Sequence, residues 1–128
     1  MAINPVFAVT PRIGFTQVGT ANANRDGTTG TYADLIVGAS TGTRIAEIVV
    51  QATVTTTAGM VRLFITDGST TRMFDEVSVA AATVSASVKG TRVSTTYNNL
   101  ILPSNNWKIT VSNNNAEAIN VFALGADL

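Results

Sequence analysis

The feature that most constrains this chain is a rhythm. Short runs rich in Val, Ile and Thr alternate between apolar and polar residues, and Gly, Asn, Asp or Pro breaks them at short intervals. β-Branched side chains are stiff at χ1 and sit well on a pleated sheet. Many short strands closed by turn residues indicate a sandwich or barrel rather than alternating strands and helices. The clearest run covers residues 44–54. There Ala46, Ile48, Val50, Ala52 and Val54 share one face, and Ile45, Glu47, Val49, Gln51 and Thr53 share the other. Period-two alternation of this kind puts one face on a core.

Asp67-Gly68-Ser69-Thr70 separates runs 60–66 and 71–79, and Asp-Gly between two apolar runs signals a hairpin. In the first arm Val61, Leu63 and Ile65 face one way. In the second, adjacent Met73 and Phe74 break the alternation. That predicts either a strand covered on both faces or a bulge.

Further strands are expected at 12–19, 32–37, 90–102, 107–111 and 117–124. In 90–102, Val93, Thr95, Tyr97, Asn99 and Ile101 fall on one side, and Pro103 ends the run. Trp107, Ile109 and Val111 point inward, which makes Trp107 a core residue rather than a binding platform. The last run is apolar on both faces, as a central strand should be. Residues 20–31 form a loop, and residues 80–89 a loop or a short irregular strand. The sum is about eight strands in one all-β domain, 12–128, without a composition break or a repeat. A two-sheet β-sandwich buries both inner faces, with the jelly roll as one way of connecting it.

Ahead of it, residues 1–11 read as an extended N-terminal arm, because Pro5 and Pro11 disfavour helix in the residues before them. Ile3, Pro5, Val6, Phe7 and Val9 are candidate partner contacts, too apolar as a group for a free tail. Packing on the arm's own domain and packing on a neighbouring subunit both stay open.

Composition then narrows the chemistry. A chain of 128 residues is long enough to bury about two-thirds of its unfolded surface without metal or disulfide staples. Cys and His are both absent, which removes thiolate chemistry, the commonest general base and the commonest metal ligand. Eight basic and eight acidic residues balance, and only 12% of residues are charged. A domain relying on its own charge to stay dispersed carries more. That low charge fits a protein packed against neighbours, and equally a polar surface rich in Thr and Asn. The six Arg are scattered singly, so no nucleic-acid partner is expected. The apolar runs are too short for a membrane span, and Met1-Ala2-Ile3-Asn4-Pro5 does not read as a secretory signal. The expectation is synthesis in a cytoplasm and no membrane partner.

The search for a reaction centre yields little. A Ser–Lys pair with Lys89 or Lys108 has no local signature. Asp75 and Glu76 are adjacent, so on a strand they point to opposite faces and cannot work as a paired acid and base. Asn22-Ala23-Asn24-Arg25-Asp26-Gly27 resembles the first half of a calcium loop, but the first position is Asn and the twelfth is Ala33. A turn-rich loop is the simpler reading. Gly27-Thr28-Thr29-Gly30-Thr31 lacks the Lys and the following helix of a phosphate loop. No enzyme activity, cofactor or metal is expected. One further contact is a candidate: Phe64 falls on the face opposite Val61, Leu63 and Ile65, with Met60 and Arg62 near it. That second face fits an intersubunit contact, or a strand buried on both sides within one chain.

Several segments together resemble small virion-associated structural proteins of tailed bacteriophages. They are Ile3-Asn4-Pro5-Val6-Phe7 with Thr10-Pro11-Arg12-Ile13-Gly14, and Ala23-Asn24-Arg25-Asp26-Gly27-Thr28. Thr57-Ala58-Gly59-Met60-Val61-Arg62-Leu63-Phe64-Ile65 with Asp67-Gly68, and Asn114-Asn115-Ala116-Glu117-Ala118-Ile119-Asn120-Val121, complete the set. The resemblance spans nearly the whole chain and carries no catalytic residue. It implies a capsid decoration, or cement, protein: a homo-oligomer, with a trimer favoured, that binds the major capsid protein on the outside of the shell. The location implied is the virion. The alternative is a tail or head-fibre module that binds a host receptor or glycan.

Overall fold

A computed structural model describes residues 10–128, which form eight strands: β1 (Thr10–Val18), β2 (Ala33–Val37), β3 (Thr43–Ala52), β4 (Gly59–Thr66), β5 (Thr71–Val79), β6 (Arg92–Leu102), β7 (Lys108–Asn113) and β8 (Ile119–Asp127). They make two four-stranded sheets of order β1-β8-β3-β6 and β2-β7-β4-β5. Every pairing is antiparallel: β1 with β8, β2 with β7, β3 with β6 and β4 with β5, then β3 with β8 and β4 with β7. The first four pairings are those of one long hairpin folded about the β4–β5 turn. Rolling that hairpin gives a two-sheet sandwich of jelly-roll type.

The core lies between the sheets. Ile45, Ile48, Val50, Val121 and Ala123 of the first sheet meet Val61, Leu63, Ile109 and Val111 of the second, all buried. The β4–β5 turn forms where Asp67-Gly68 predicts it. Gly68 takes φ 97°, and the Asp67 carboxylate accepts the N–H groups of Ser69 and Thr70 at 2.9 and 2.7 Å. The irregularity expected at Met73 and Phe74 is a bulge: Leu63 faces Asp75 but Phe64 faces Met73, so Phe74 is the extra residue. β8 is central, as its two-faced apolarity predicts.

The alternation read for β3 fails at one residue. The β3 register to both neighbours shifts between Ile45 and Glu47, leaving Ala46 in a bulge. A bulge turns the side chains beyond it to the other face. Ile45 therefore points inward with Ile48, Val50 and Ala52, while Ala46 and Val54 are exposed. β6 changes face in the same place. Thr96 pairs with Glu47 and Leu100 with Ile45, so Tyr97, Asn98 and Asn99 lie opposite Ala46. Leu100 and Leu102 turn inward instead of Asn99 and Ile101.

The first strand begins at Thr10, so Thr10 and Pro11, read as the end of the arm, belong to the sheet. Proline is tolerated there because β1 is an edge strand. Trp107 is half-buried against the core just ahead of β7. Residues 80–91 form a connection tied down by isolated bridges, Thr56 with Ala82 and Ser85 with Val88.

Loop 20–31 crosses the outer face of the second sheet. Asp26 organises it. Its carboxylate accepts the Thr29 hydroxyl at 2.6 Å, the Thr28 and Thr29 N–H groups at 3.0 Å and the Tyr32 hydroxyl at 3.2 Å. Donation from the Thr29 hydroxyl, then from the Thr29 and Thr28 N–H groups, holds this carboxyl well below the usual range. A depressed folded pKa stabilises the fold above the unfolded value, and that gain is lost as pH falls through the folded one. Asp26→Ala is therefore expected to lower stability to denaturant at neutral pH. The gap from wild type should narrow once pH drops below about 4, the ordinary carboxyl range. An equal gap at every pH would contradict that role.

Candidate interaction face

The predicted contact residues fall into two groups. Ile3, Pro5, Val6, Phe7 and Val9 lie outside the described residues. Met60, Arg62 and Phe64 lie on β4, and for Phe64 and Arg62 the burial matches the alternative of a strand covered on both sides within one chain. Phe64 is fully buried and Arg62 only 6% exposed, both within this one chain, while Met60 is half-buried.

Their cover is loop 20–31. Tyr32 stands edge-on to Phe64, with ring centroids 5.2 Å apart at 87°. Gly27 lies so close that even a β-carbon there would sit 3.0 Å from the Phe64 ring. Arg25 pairs with Glu76, whose other oxygen is 3.3 Å from Nε of Arg62, and Arg62 also donates to Asn114 at 3.2 Å. At the base of the loop the Asn22 N–H bonds the Asn113 carbonyl at 2.8 Å. The second apolar face of β4 is thus an internal face.

The same loop contains the calcium-like motif. Asn22 Nδ2 donates to the Thr29 and Thr31 carbonyls, and Oδ1 accepts from the Asn24 N–H. With Asp26 also engaged, the side-chain oxygens of Asn22 and Asp26 serve the loop's own turns. No group of three acidic residues suited to a metal ion occurs among the described residues. Beside the loop a small cavity of about 70 Å³ is lined by Val18, Tyr32, Ser112 and Asn113 among others. The buried Ser112 hydroxyl has no hydrogen-bond partner. A space of this size suits a water or two rather than a substrate.

The opposite side of the sandwich is built differently. Among the described residues no such loop lies across the outer face of β1-β8-β3-β6. The register sets its rows: Ile13 beside Leu124 and Glu47, then Phe15 beside Phe122 and Val49, then Gln17 beside Asn120 and Gln51. Phe15 is 68% and Ile13 55% exposed. The Phe15 and Phe122 ring centroids are 6.2 Å apart. Two shallow depressions of about 500 and 520 Å³ open on this face, one at Phe15 and Phe122, the other at Ala46, Leu124 and Gly125.

Gly14 explains why β1 turns its large side chains outward. A β-carbon there would lie 2.4 Å from the Leu35 carbonyl oxygen and 2.7 Å from Cβ of Ile36. The inner side of β1 thus packs directly on β2, leaving no room for bulk. Arg12 clamps the same corner, donating to Asp127 at 2.9 Å and to the Val37 carbonyl at 2.8 Å. The sequence held a signal for this face. Ile13 and Phe15 alternate with Arg12, Gly14 and Thr16, so the apolar side of β1 is the one a core-facing reading overlooks.

Across the far edge of the sandwich, Tyr97 of β6 donates to Asp75 of β5 at 2.5 Å and stacks edge-on with Phe74. Burial, then the bond to Asp75, pushes the Tyr97 hydroxyl well above its ordinary pKa. Asp75 is thereby tied to Tyr97 and Glu76 to the two arginines. The adjacent carboxylates serve different structural partners. In comparisons with known proteins, no protein family and no curated protein matches this chain.

Proposed function

We propose that this chain is a structural protein of a tailed-bacteriophage virion, a decoration protein that binds the outer shell as a homo-oligomer and reinforces contacts between capsomers. The observation that carries the reading is the apolar sheet face on which Ile13 and Phe15 stand exposed beside Phe122. Contiguous exposed apolar surface on a small domain marks a contact site. The resemblance of its segments to virion-associated proteins supplies the setting. The jelly roll is compatible with it, since that fold recurs in capsid and lectin domains, although a fold alone does not assign a function.

Decoration suits the physics of such a surface. Many copies on a repeating lattice bind tightly together even when each contact is weak. A domain with balanced, sparse charge can be crowded beside its own copies without strong repulsion. Binding at the shell and binding at the host are separable by experiment. Purified chain should co-sediment with capsids of the phage that encodes it and leave host cells unlabelled. Labelling of cells without binding to capsids would favour the receptor or glycan module instead.

A further inference from the structure

We infer that the outer face of β1-β8-β3-β6 packs against the same face of a second copy of this chain, forming a two-fold dimer. Two properties of the face select that occupant over a different partner.

The first is charge. Within the patch Arg44 and Glu47 carry opposite signs on one strand, and Arg92 lies at the rim. No run of one sign is present to recruit an acidic or a basic partner. Nor is there strong repulsion between copies, because the whole chain is neutral. The exposed centre of the face is Phe15 and Ile13, with the half-buried Phe122 and Leu124 beside them. Aromatic residues are enriched at the centres of protein interfaces. Gln17, Asn120 and Gln51 supply a polar border along one side.

The second is area. Four strands about 4.8 Å apart, each rising about 3.3 Å per residue, give a footprint of roughly 570 Å² over nine residues. Two such faces in full contact would bury at most about 1,100 Å², which reaches the roughly 1,000 Å² that a specific contact needs. Twisted sheets meet face to face at about 10 Å with their strands within about 30° of each other. Jelly-roll sheets of equal twist can therefore stack without distortion. The inference rests on the reading of this face as a contact site and names a second copy as its occupant, the self-contact of the proposed homo-oligomer; it is tested in solution without any capsid, so its failure is separate from failure of the virion role.

The experiment is sedimentation equilibrium of the full chain from low micromolar to tenths of millimolar concentration. Wild type should give the mass of two chains at the upper end. Phe15→Glu should pair at least roughly thirtyfold more weakly, as expected for loss of a central aromatic anchor. Ile13→Lys should act in the same direction. Val88→Glu alters an exposed residue outside the four strands of this sheet and should pair like wild type. Circular dichroism checks that each variant keeps its sheet content, and whichever β1 variant stays folded carries the test. A wild-type monomer throughout would overturn the inference. So would undiminished pairing in a folded β1 variant, or a mass of three chains, the number the resemblance implies.

Discussion

Replacing Gly125 by alanine is expected to destabilise the fold by about 3 kcal/mol or more, a loss on the scale of the severe single substitutions. Gly125 sits on β8 between Arg12 of β1 and Ile45 of β3, where the β3 bulge begins. A β-carbon there would fall 1.9 Å from the Arg44 carbonyl oxygen and 3.0 Å from Cα of Ile45. Those are backbone atoms, so no side-chain rotation relieves the clash. β8 is hydrogen-bonded on both sides, and any shift must disturb two ladders at once. Glycine within a strand commonly marks such close approach of another backbone. Urea denaturation checks the prediction, and a fall in melting temperature of roughly 10 °C should accompany it. Gly19→Ala is the matched control. Its nearest neighbour would be Cα of Ala118 at 3.7 Å, an ordinary contact, so it should cost no more than about 0.5 kcal/mol. Equal losses at the two positions would refute the crowding account.

Phe64→Ala should cost about 3–5 kcal/mol, the usual range for emptying a fully buried aromatic site. The loss should not stay local. The ring supports Tyr32 and lies under Gly27, so loop 20–31 loses its floor. Hydrogen exchange should rise at the Thr28 and Thr29 amides, which Asp26 holds. Phe64→Leu keeps most of the volume and should cost no more than about 1.5 kcal/mol. This variant series separates two roles for the second face of β4. An intersubunit contact would lose association while the single chain kept its stability. An internal face loses stability itself. Phe15→Ala supplies the contrast: at an exposed position on an edge strand it should move stability by no more than about 0.5 kcal/mol.

The strands were legible in the sequence because a two-residue period and turn residues are local properties. Asp67-Gly68 and the Asn113-Asn114-Asn115 run fall at or between strand ends, where they were expected. The faces were less legible, because one bulge reverses everything after it. Nothing around Ala46 announces that its side chain turns outward. The signal is spread over two strands, in the three β6 residues opposite it.

The candidate site was hidden for a related reason. Phe64, with Met60 and Arg62 near it, forms a second face of β4, and only the path of a loop more than thirty residues earlier in the chain decides that it is covered. Ile13 and Phe15 point away from the core because Gly14 presses on β2, a contact between strands of different sheets. Long-range packing of this kind leaves little trace in a local pattern.

The shell reading is tested most directly by counting copies. Quantitative mass spectrometry of purified virions, from the phage that encodes the chain, gives its abundance relative to the major capsid protein. A decoration protein covers a lattice, so the ratio should be about one or a simple fraction such as about one-third. A ratio lower by roughly tenfold or more would place the chain in a low-copy tail or fibre organ. Complete absence from the virion would contradict a structural role there altogether.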